Sequence, residues 1–134
     1  FNKSYYDLLI GMDATVFPSY YEPWGYTPLE SVAFGVPTVT TTLSGFGQWI
    51  LSSFENDFNA CGVNVIARGD YNYNEVADGI ANALNALVGN DELSAAKISK
   101  AAMTTASQAS WSNFIDYYDD AFAVAIENGQ KRNK

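Results

Sequence analysis

The chain of 134 residues has the length of one domain, and its 48% hydrophobic content is enough to bury a sizeable core. The formal net charge of −8 argues against nucleic acids and anionic membranes as partners, and no apolar run has the length of a membrane span. Because the chain contains no histidine, Cys61 lacks an obvious activating base, and we interpret it as a buried small hydrophobe in a reducing, cytoplasmic compartment. The chain opens on Phe1 without a signal peptide, so we expect it to be a segment of a longer protein.

The first third of the chain alternates between helical and strand patterns. Residues 4–12 have the apolar spacing of a helix, and residues 14–17 form a short run with β-branched members that Pro18 stops. A second helix is predicted over residues 27–34, where Gly35 ends it, and a second strand over residues 37–41. Two short strands joined by a helix form a βαβ unit, which predicts an α/β fold with a parallel sheet and flanking helices.

The start of the second helix carries a capping pattern. Thr27 is a candidate N-cap, Pro28 suits the first helical position, and Glu30 follows three residues after the cap, which predicts a capping box. The turn before it cannot be regular, because Pro23 and Gly25 interrupt it. A strand that leads through such a turn into a helix places unpaired N–H groups at the carboxyl end of the sheet, where anions and above all phosphates bind.

The later part of the chain is predicted to contain one more strand and four helices. A loop over residues 42–47 contains two glycines, which allow either close approach of the backbone to a ligand or simply a tight turn. After it come a helix over 48–54, an irregular stretch over 55–60, a strand over 62–67, a helix capped by Asn74 and ended by Gly89, and helices over 91–107 and 111–128. The last helix is unusually aromatic and has apolar groups on more than one face, which is typical of contact on two sides.

The irregular turn also carries two carboxylates, Glu22 and Glu30, in an E-x7-E pattern. Ionised carboxylates only accept hydrogen bonds, so an acidic pair beside a phosphate site favours a ligand that also has hydroxyls, such as a nucleotide sugar. A diphosphate needs further cations, because a helix N-terminus stabilises an anion by only about 0.3–1 kcal/mol, up to about 2 kcal/mol when partly buried. None of the 7 basic residues lies between Asp13 and Gly47, so we expect these cations to come from a metal or from protein outside this chain.

Residues 17–47, FPSYYEPWGYTPLESVAFGVPTVTTTLSGFG, resemble the donor-site region of the glycogen synthases of animal and fungal type. These are retaining glycosyltransferases with the two-domain B fold. The resemblance implies that residues 1–134 are the later part of the C-terminal, nucleotide-binding domain, with a partial Rossmann-like sheet. Residues 111–128 would be the helix that crosses back to the N-terminal domain, although an ordinary core helix is the alternative.

The resemblance also implies a reaction and its partners. Glucose would pass from UDP-glucose, or less favourably ADP-glucose, to an α-1,4-glucan with retained configuration. No cofactor or metal would be needed, because an arginine and a lysine from an earlier part of the same domain neutralise the phosphates. Without that part and the N-terminal domain, we expect the chain by itself to be inactive.

Individual site residues follow from the same resemblance. Glu22 would bind donor-sugar hydroxyls and stabilise positive charge at the anomeric carbon, and Glu30 would accept from the ribose hydroxyls, with the capping box as the structural alternative. Tyr5 would stack on the uracil base or be half-buried packing. The further contacts would be N–H groups and a hydroxyl on the distal phosphate, from Trp24, Gly25, Tyr26 and Thr27, and an acceptor or sugar-side loop of Ser44, Gly45, Phe46 and Gly47. For Trp24, packing under the turn is the alternative.

The chain departs from the family pattern in one helix. The regulated eukaryotic synthases carry an arginine-rich helix near residues 91–107 that senses a sugar phosphate, whereas this chain has only Lys97 and Lys100 there, so we expect no such activation.

Three other functions stay open. They are another retaining glycosyltransferase of the same fold, a noncatalytic nucleotide-sugar or carbohydrate-binding module, and a hydrolase that uses Glu22 and Glu30 as an acid/base pair.

Overall fold

The structure, a computed structural model that describes residues 2–132, is built on a three-stranded parallel sheet. The strands are β1 (Thr15–Val16), β2 (Thr38–Thr41) and β3 (Val63–Ile66), in the spatial order β1-β2-β3. Thr38 lies opposite Thr15 on one side and opposite Val63 on the other, so the strands run in register and end at one edge of the sheet. The predicted α/β class and parallel sheet are confirmed.

Seven helices flank the sheet within residues 2–132. They are α1 (Tyr5–Leu9), α2 (Tyr26–Ala33), α3 (Gly45–Phe54), α4 (Phe58–Cys61), α5 (Tyr73–Val88), α6 (Glu92–Gln108) and α7 (Trp111–Arg132). Helix α2 packs on β1 and β2, helices α3 and α5 pack on β3, and α6 covers α2 and α4. None of these described helices combines the length and the apolar character that crossing a membrane requires.

The apolar core lies where α2, α3, α4 and α6 meet β3. Its fully buried members include Val32 of α2 and Phe46 and Ile50 of α3, which pack with Val63 of β3. Phe46 and Ile50 are the largest fully buried side chains of the described chain. The first turn of α3 is therefore a core element.

The central strand is buried yet rich in threonine, and hydrogen bonds compensate its hydroxyl groups. Thr15 Oγ1 lies 2.6 Å from Thr38 Oγ1 and 2.6 Å from Ser31 Oγ, and the Ser31 hydroxyl also donates to Val36 O at 3.1 Å. A buried hydroxyl without a partner would cost about 1–3 kcal/mol, so these bonds are needed for the strand to be buried. They join β1, α2 and β2 into one unit.

Helix α2 begins earlier than the sequence predicts, and the predicted capping box is wrong. Gly25 is the N-cap residue with φ of 120°, and Leu29 N–H donates to its carbonyl oxygen at 3.3 Å. Thr27 therefore lies inside the first turn, and Glu30 lies beyond the position from which a side chain caps a helix. The predicted end is confirmed, since Gly35 follows the last turn with φ of 74°.

The start of α3 is also earlier than predicted. The sequence predicts a loop over residues 42–47 and a helix over 48–54, whereas α3 already begins at Gly45. Ser44 is the cause, because its hydroxyl accepts from Gly47 N–H at 3.0 Å and so caps the helix.

Boundaries of four other helices also differ from the prediction. Residues 55–60, expected to be irregular, contain the start of α4, where Asp57 accepts from the N–H groups that follow it. Asn74 is not the cap of α5, because the helix already starts after Asn72, and it ends at Gly89 as predicted. Helix α1 stops at Leu9, three residues before the predicted end. Helix α7 continues four residues beyond the predicted residue 128, to Arg132.

Cys61 is buried, which confirms its interpretation as a small core residue. Its Sγ donates to Val63 O at 3.2 Å, and burial raises the pKa of the thiol. We therefore expect Cys61 to resist iodoacetamide in the native protein at mildly alkaline pH and to react fully once guanidinium unfolds it. Mass spectrometry of the peptide that contains Cys61 measures both yields, and rapid labelling of the native protein would contradict the prediction.

Candidate functional site

The turn between β1 and α2 lies at the carboxyl edge of the sheet and is paired with the loop between β2 and α3. Glu22 N–H donates to Leu43 O at 3.0 Å, and Gly45 N–H donates back to Glu22 O at 3.1 Å. Phe46 N–H, one residue after Gly45, donates to the carbonyl oxygen of Trp24, two residues after Glu22, at 2.6 Å. These three bonds act as an additional parallel pairing beyond the strands, and they fix the course of an otherwise irregular segment.

Two glycines make this pairing possible. A methyl group at Gly45 would overlap the carbonyl oxygen of Pro23. At Gly25, φ of 120° excludes most side chains, and a Cβ atom would also come within 3.1 Å of Phe46 Cβ and of Pro28 Cγ. From the sequence, the glycines of the second loop allow either close approach of the backbone to a ligand or a tight turn. At Gly45 the structure shows a close approach, but to the backbone of Pro23 and not to a ligand.

Glu22 is held at the amino terminus of α2. Its Oε2 accepts from Ser19 Oγ at 2.8 Å, and Ser19 is itself anchored because Thr41 Oγ1 donates to its carbonyl oxygen at 2.7 Å. A Cβ atom added to Gly25 would lie 3.5 Å from Glu22 Cδ, which places the carboxylate beside the N-cap residue. The first carboxylate of the E-x7-E pattern therefore stands where the sheet edge and the helix start meet.

The amino terminus of α2 has no side-chain cap among the described residues. Its first turn is formed by Tyr26, Thr27 and Pro28, and proline has no N–H group to offer. Tyr26 is 70% exposed and Thr27 is exposed, so solvent reaches this end of the helix. An uncapped, exposed helix start has the chemistry of an anion site.

The side chain of Trp24 has a structural role. Its ring packs against those of Phe46, Trp49 and Phe114, with centroid distances of 6.1, 6.1 and 5.4 Å. The alternative that the sequence analysis kept for this residue, packing under the turn, thus describes the indole. The phosphate contact that the resemblance implies would instead use the backbone N–H of Trp24. This N–H belongs to the turn and takes no part in the packing of the ring.

Glu30 lies one turn into α2 and faces α1. Its Oε1 accepts from the Tyr6 hydroxyl at 3.2 Å, and this hydrogen bond, with the charge of Glu30, raises the pKa of Tyr6. Tyr5, the residue that the resemblance assigns to the uracil base, is 48% exposed and meets the Tyr6 ring edge-on at 5.3 Å. The structure thus brings Tyr5 and Glu30 to two sides of Tyr6, a residue that the sequence analysis did not single out for the site.

The second loop presents less surface than its predicted sugar-side role implies. Ser44 is buried and its hydroxyl caps α3, Phe46 is a core side chain, and Gly47 is buried. Gly45 is the partly exposed member of this set. Any contact of these four residues with a sugar would therefore involve backbone atoms.

The described residues contain no cluster of metal-ligand side chains. Within residues 2–132 no three histidine, cysteine, aspartate or glutamate side chains come together as a metal site would require.

Arg68, which follows β3, reaches the turn after β1. Its Nη1 donates to Pro18 O at 2.7 Å, and its guanidinium lies 3.5 Å from the centroid of the Tyr20 ring. The backbone around Arg68 is tied to β2 as well, because Arg68 N–H donates to Thr42 Oγ1 at 3.0 Å. Arg68 is distant from the turn in sequence, so the absence of basic residues between Asp13 and Gly47 gave no sign of this contact. The one available signal was its position just after a strand of a parallel sheet.

An aromatic cavity of about 510 Å³ opens beside the turn. Its lining includes Trp24 and Tyr26 on one side and Trp111, Phe114 and Tyr117 of α7 on the other. No described residue of α7 is buried, although the helix is rich in apolar groups. The contact on two sides that the sequence predicts for this helix therefore stays a prediction.

Comparison with known proteins points to one family. The glycogen synthase family model matches residues 1–131. The glycogen [starch] synthase of Caenorhabditis elegans is 33% identical over 123 residues, which is 92% of this chain and 18% of that protein. Isoform 1 of Saccharomyces cerevisiae is 51% identical over 53 residues (40% and 8%), and the liver enzyme of Homo sapiens is 47% identical over 64 residues (48% and 9%). The chain spans no more than 18% of the length of these relatives.

The pairing of the two loops can be tested at Gly45. We expect Gly45→Ala to lower the free energy of unfolding by about 1–3 kcal/mol, because the added methyl group pushes the Pro23 carbonyl away and strains the pairing. Gly129→Ala is the matched control, since a methyl group there meets nothing within 4 Å in the described chain and should be neutral or stabilising by up to about 1 kcal/mol. Urea titrations followed by circular dichroism compare the two variants. Equal stability of the two would contradict the prediction.

Proposed function

The chain belongs to the glycogen synthase family, and on this premise we propose that it is the later part of the C-terminal, nucleotide-sugar-binding domain of a retaining glucosyltransferase. The proposed reaction transfers glucose from UDP-glucose, or less favourably ADP-glucose, to the non-reducing end of an α-1,4-glucan. One observation carries the proposal: the Glu22 carboxylate lies beside the uncapped start of α2, at the carboxyl edge of a parallel sheet. Ligands of such sheets bind outside that edge.

In this proposal the start of α2 binds the distal phosphate of the donor. The backbone N–H groups of the Trp24–Thr27 segment and the Thr27 hydroxyl are the donors, and the exposure of Tyr26 and Thr27 supports access to them. The helix end stabilises an anion by about 0.3–1 kcal/mol, up to about 2 kcal/mol when partly buried. The remaining positive charge comes from the arginine and lysine that the family supplies from an earlier part of the domain.

Glu22 acts on the donor sugar. Its carboxylate accepts from sugar hydroxyls and stabilises the positive charge that develops at the anomeric carbon as the bond to the phosphate breaks. The Ser19 hydroxyl supports this role, because it holds Oε2 at 2.8 Å and so limits the rotamers of the side chain before substrate arrives. Retention follows if the acceptor attacks on the face that the phosphate leaves, with the phosphate helping to deprotonate the acceptor.

Tyr5 and Glu30 are proposed to bind the nucleoside. Tyr5 stacks on the base, which its 48% exposure permits, and Glu30 accepts from the ribose hydroxyls. The corrected start of α2 supports the role of Glu30, because the carboxylate no longer serves the capping box that would have explained it structurally. The backbone at Gly45 is proposed to line the sugar or acceptor side.

Helix α7 and the aromatic cavity are proposed to contact the N-terminal domain of the same protein. The observation that supports this is the exposure of large apolar side chains along α7, including Trp111 at 66%, Tyr117 at 71% and Phe122 at 60%. Surfaces of this kind mark interaction sites. We further propose a cytoplasmic location, which the single buried thiol fits.

Calorimetry on the full-length protein tests the proposal. UDP and UDP-glucose should bind with similar affinity and ADP-glucose more weakly, and incubation with an α-1,4-glucan should extend the glucan only when UDP-glucose or ADP-glucose is present. Release of free sugar from a glucan without nucleotide would instead indicate a hydrolase. Nucleotide-sugar binding without transfer would indicate a noncatalytic module.

Glu22→Gln keeps the size of the side chain and removes its charge. We expect kcat for glucosyl transfer to fall by about 100- to 1000-fold, because a preorganised group at the developing charge contributes that much. The calorimetric affinity for UDP should stay within about threefold, since the nucleotide contacts are elsewhere. Ser19→Ala should give a smaller loss of kcat, because it frees the carboxylate without removing it. A Glu22→Gln enzyme with unchanged kcat would rule out the proposed role.

Glucose 6-phosphate is expected not to raise the transfer rate of the full-length enzyme. The basic residues of α6 are Lys97 and Lys100. Two lysines carry fewer positive charges than an arginine cluster, and they lack the forked guanidinium donors that bind a phosphate with two hydrogen bonds. Initial rates at a UDP-glucose concentration below KM, with and without the sugar phosphate, measure the effect. A severalfold increase would contradict the prediction.

A further inference from the structure

We propose that Tyr6 is a positioning residue of the donor site, which holds the carboxylate of Glu30 in place for the ribose hydroxyls. This inference rests on the proposed function, since it assumes that Glu30 meets the ribose. The observation behind it is the hydrogen bond from Tyr6 Oη to Glu30 Oε1, 3.2 Å long, between residues 24 positions apart. It is a contact between two elements, α1 and α2, and not a local turn.

The hydroxyl of Tyr6 is well placed to orient another group, because its ring is packed on two sides. One face stacks on Phe34 with centroids 5.3 Å apart and an angle of 26°, and Tyr5 meets the ring at 5.3 Å and 65°. Helix α1 is itself fixed, since Ser4 forms a capping box with Asp7 and Leu9 is buried. Tyr6 is 46% exposed, so these ring contacts restrict the rotamers of the phenol without immobilising it.

Glu30, by contrast, has a long side chain on the partly exposed surface of α2. Without a partner such a carboxylate samples several rotamers, and a ligand that needs one of them must bear the ordering cost. Tyr6 donates a single hydrogen bond to Oε1, which leaves the lone pairs of Oε2 for a ligand hydroxyl. Preorganisation of this kind improves binding without touching the ligand.

Tyr6 also links the two nucleoside contacts. Its ring is in edge contact with Tyr5, the proposed base platform, while its hydroxyl binds Glu30, the proposed ribose acceptor. One side chain, Tyr6, therefore contacts the residues of both the proposed base subsite and the proposed ribose subsite. A change at Tyr6 should consequently alter donor binding and leave the chemistry at Glu22 unaffected.

Tyr6→Phe in the full-length protein tests this directly, because it removes the hydroxyl and keeps the stacked ring. We expect KM for UDP-glucose to rise by about 2- to 10-fold, as for loss of one hydrogen bond, with kcat within about twofold of wild type. A UDP-glucose analogue that lacks both ribose hydroxyls should show no such rise. Tyr71→Phe is the matched control, since that side chain is 99% exposed, and it should leave both constants unchanged.

Glu30→Gln separates failure of this inference from failure of the proposed function. If Glu30→Gln leaves KM unchanged, the ribose contact itself is absent and the inference falls with it. If Glu30→Gln raises KM and Tyr6→Phe does not, the ribose contact stands and only the role of Tyr6 is refuted. An equal rise for UDP-glucose and the analogue, with a lower melting temperature, would make Tyr6 merely structural and overturn the proposal. Less than additive effects in the double variant support it.

Discussion

The pairing of the β1–α2 turn with the β2–α3 loop is the constraint on which the candidate site depends. An irregular segment loses about 1–2 kcal/mol of backbone entropy per residue when it is fixed, and the turn contains no regular structure to offset that cost. Three backbone hydrogen bonds, around Glu22, Gly45 and Phe46, offset part of that cost. They also set where Gly25 lies, and so where α2 begins. Backbone pairing thus places Glu22 beside the helix start, and the Ser19 hydroxyl orients its carboxylate there.

The buried hydroxyl groups of the sheet extend this control to the direction of α2. Ser31 lies on α2 and Thr15 and Thr38 lie on adjacent strands, and their three oxygens are joined by contacts of 2.6 Å. An apolar interface would tolerate sliding of the helix, whereas a hydrogen-bonded one is satisfied in one arrangement only. The amino end of α2 therefore points consistently at the carboxyl edge of the sheet. Polar residues in the central strand are compatible with a buried sheet because they serve this connection.

The sequence predicted the parallel sheet and the long helices correctly, because both depend on local periodicity and on β-branched runs. It placed the start of α2 wrongly, because long-range pairing decided it: Thr27 has a good local capping pattern, but the turn before it is fixed by Gly45 and forces an earlier start. The start of α3 was missed for another reason, since the local cap by Ser44 is followed by two glycines, which disfavour a helix. Local propensity yields where tertiary contacts disagree with it. The contacts of Tyr6 and Arg68 cross 24 and 50 positions of sequence, and no periodic signal reports them.

Charge gives a physical reason why the proposed donor site needs more than this chain. The net charge is −8, and the site contributes two carboxylates, so the local field opposes a diphosphate. Arg68 brings a cation to the turn, yet its guanidinium is already engaged by Pro18 O and the Tyr20 ring, where it supports the turn's shape. The helix start supplies only a partial charge. An anionic donor should therefore bind tightly only when cations from the rest of the protein face this edge, which couples donor binding to assembly of the complete domain.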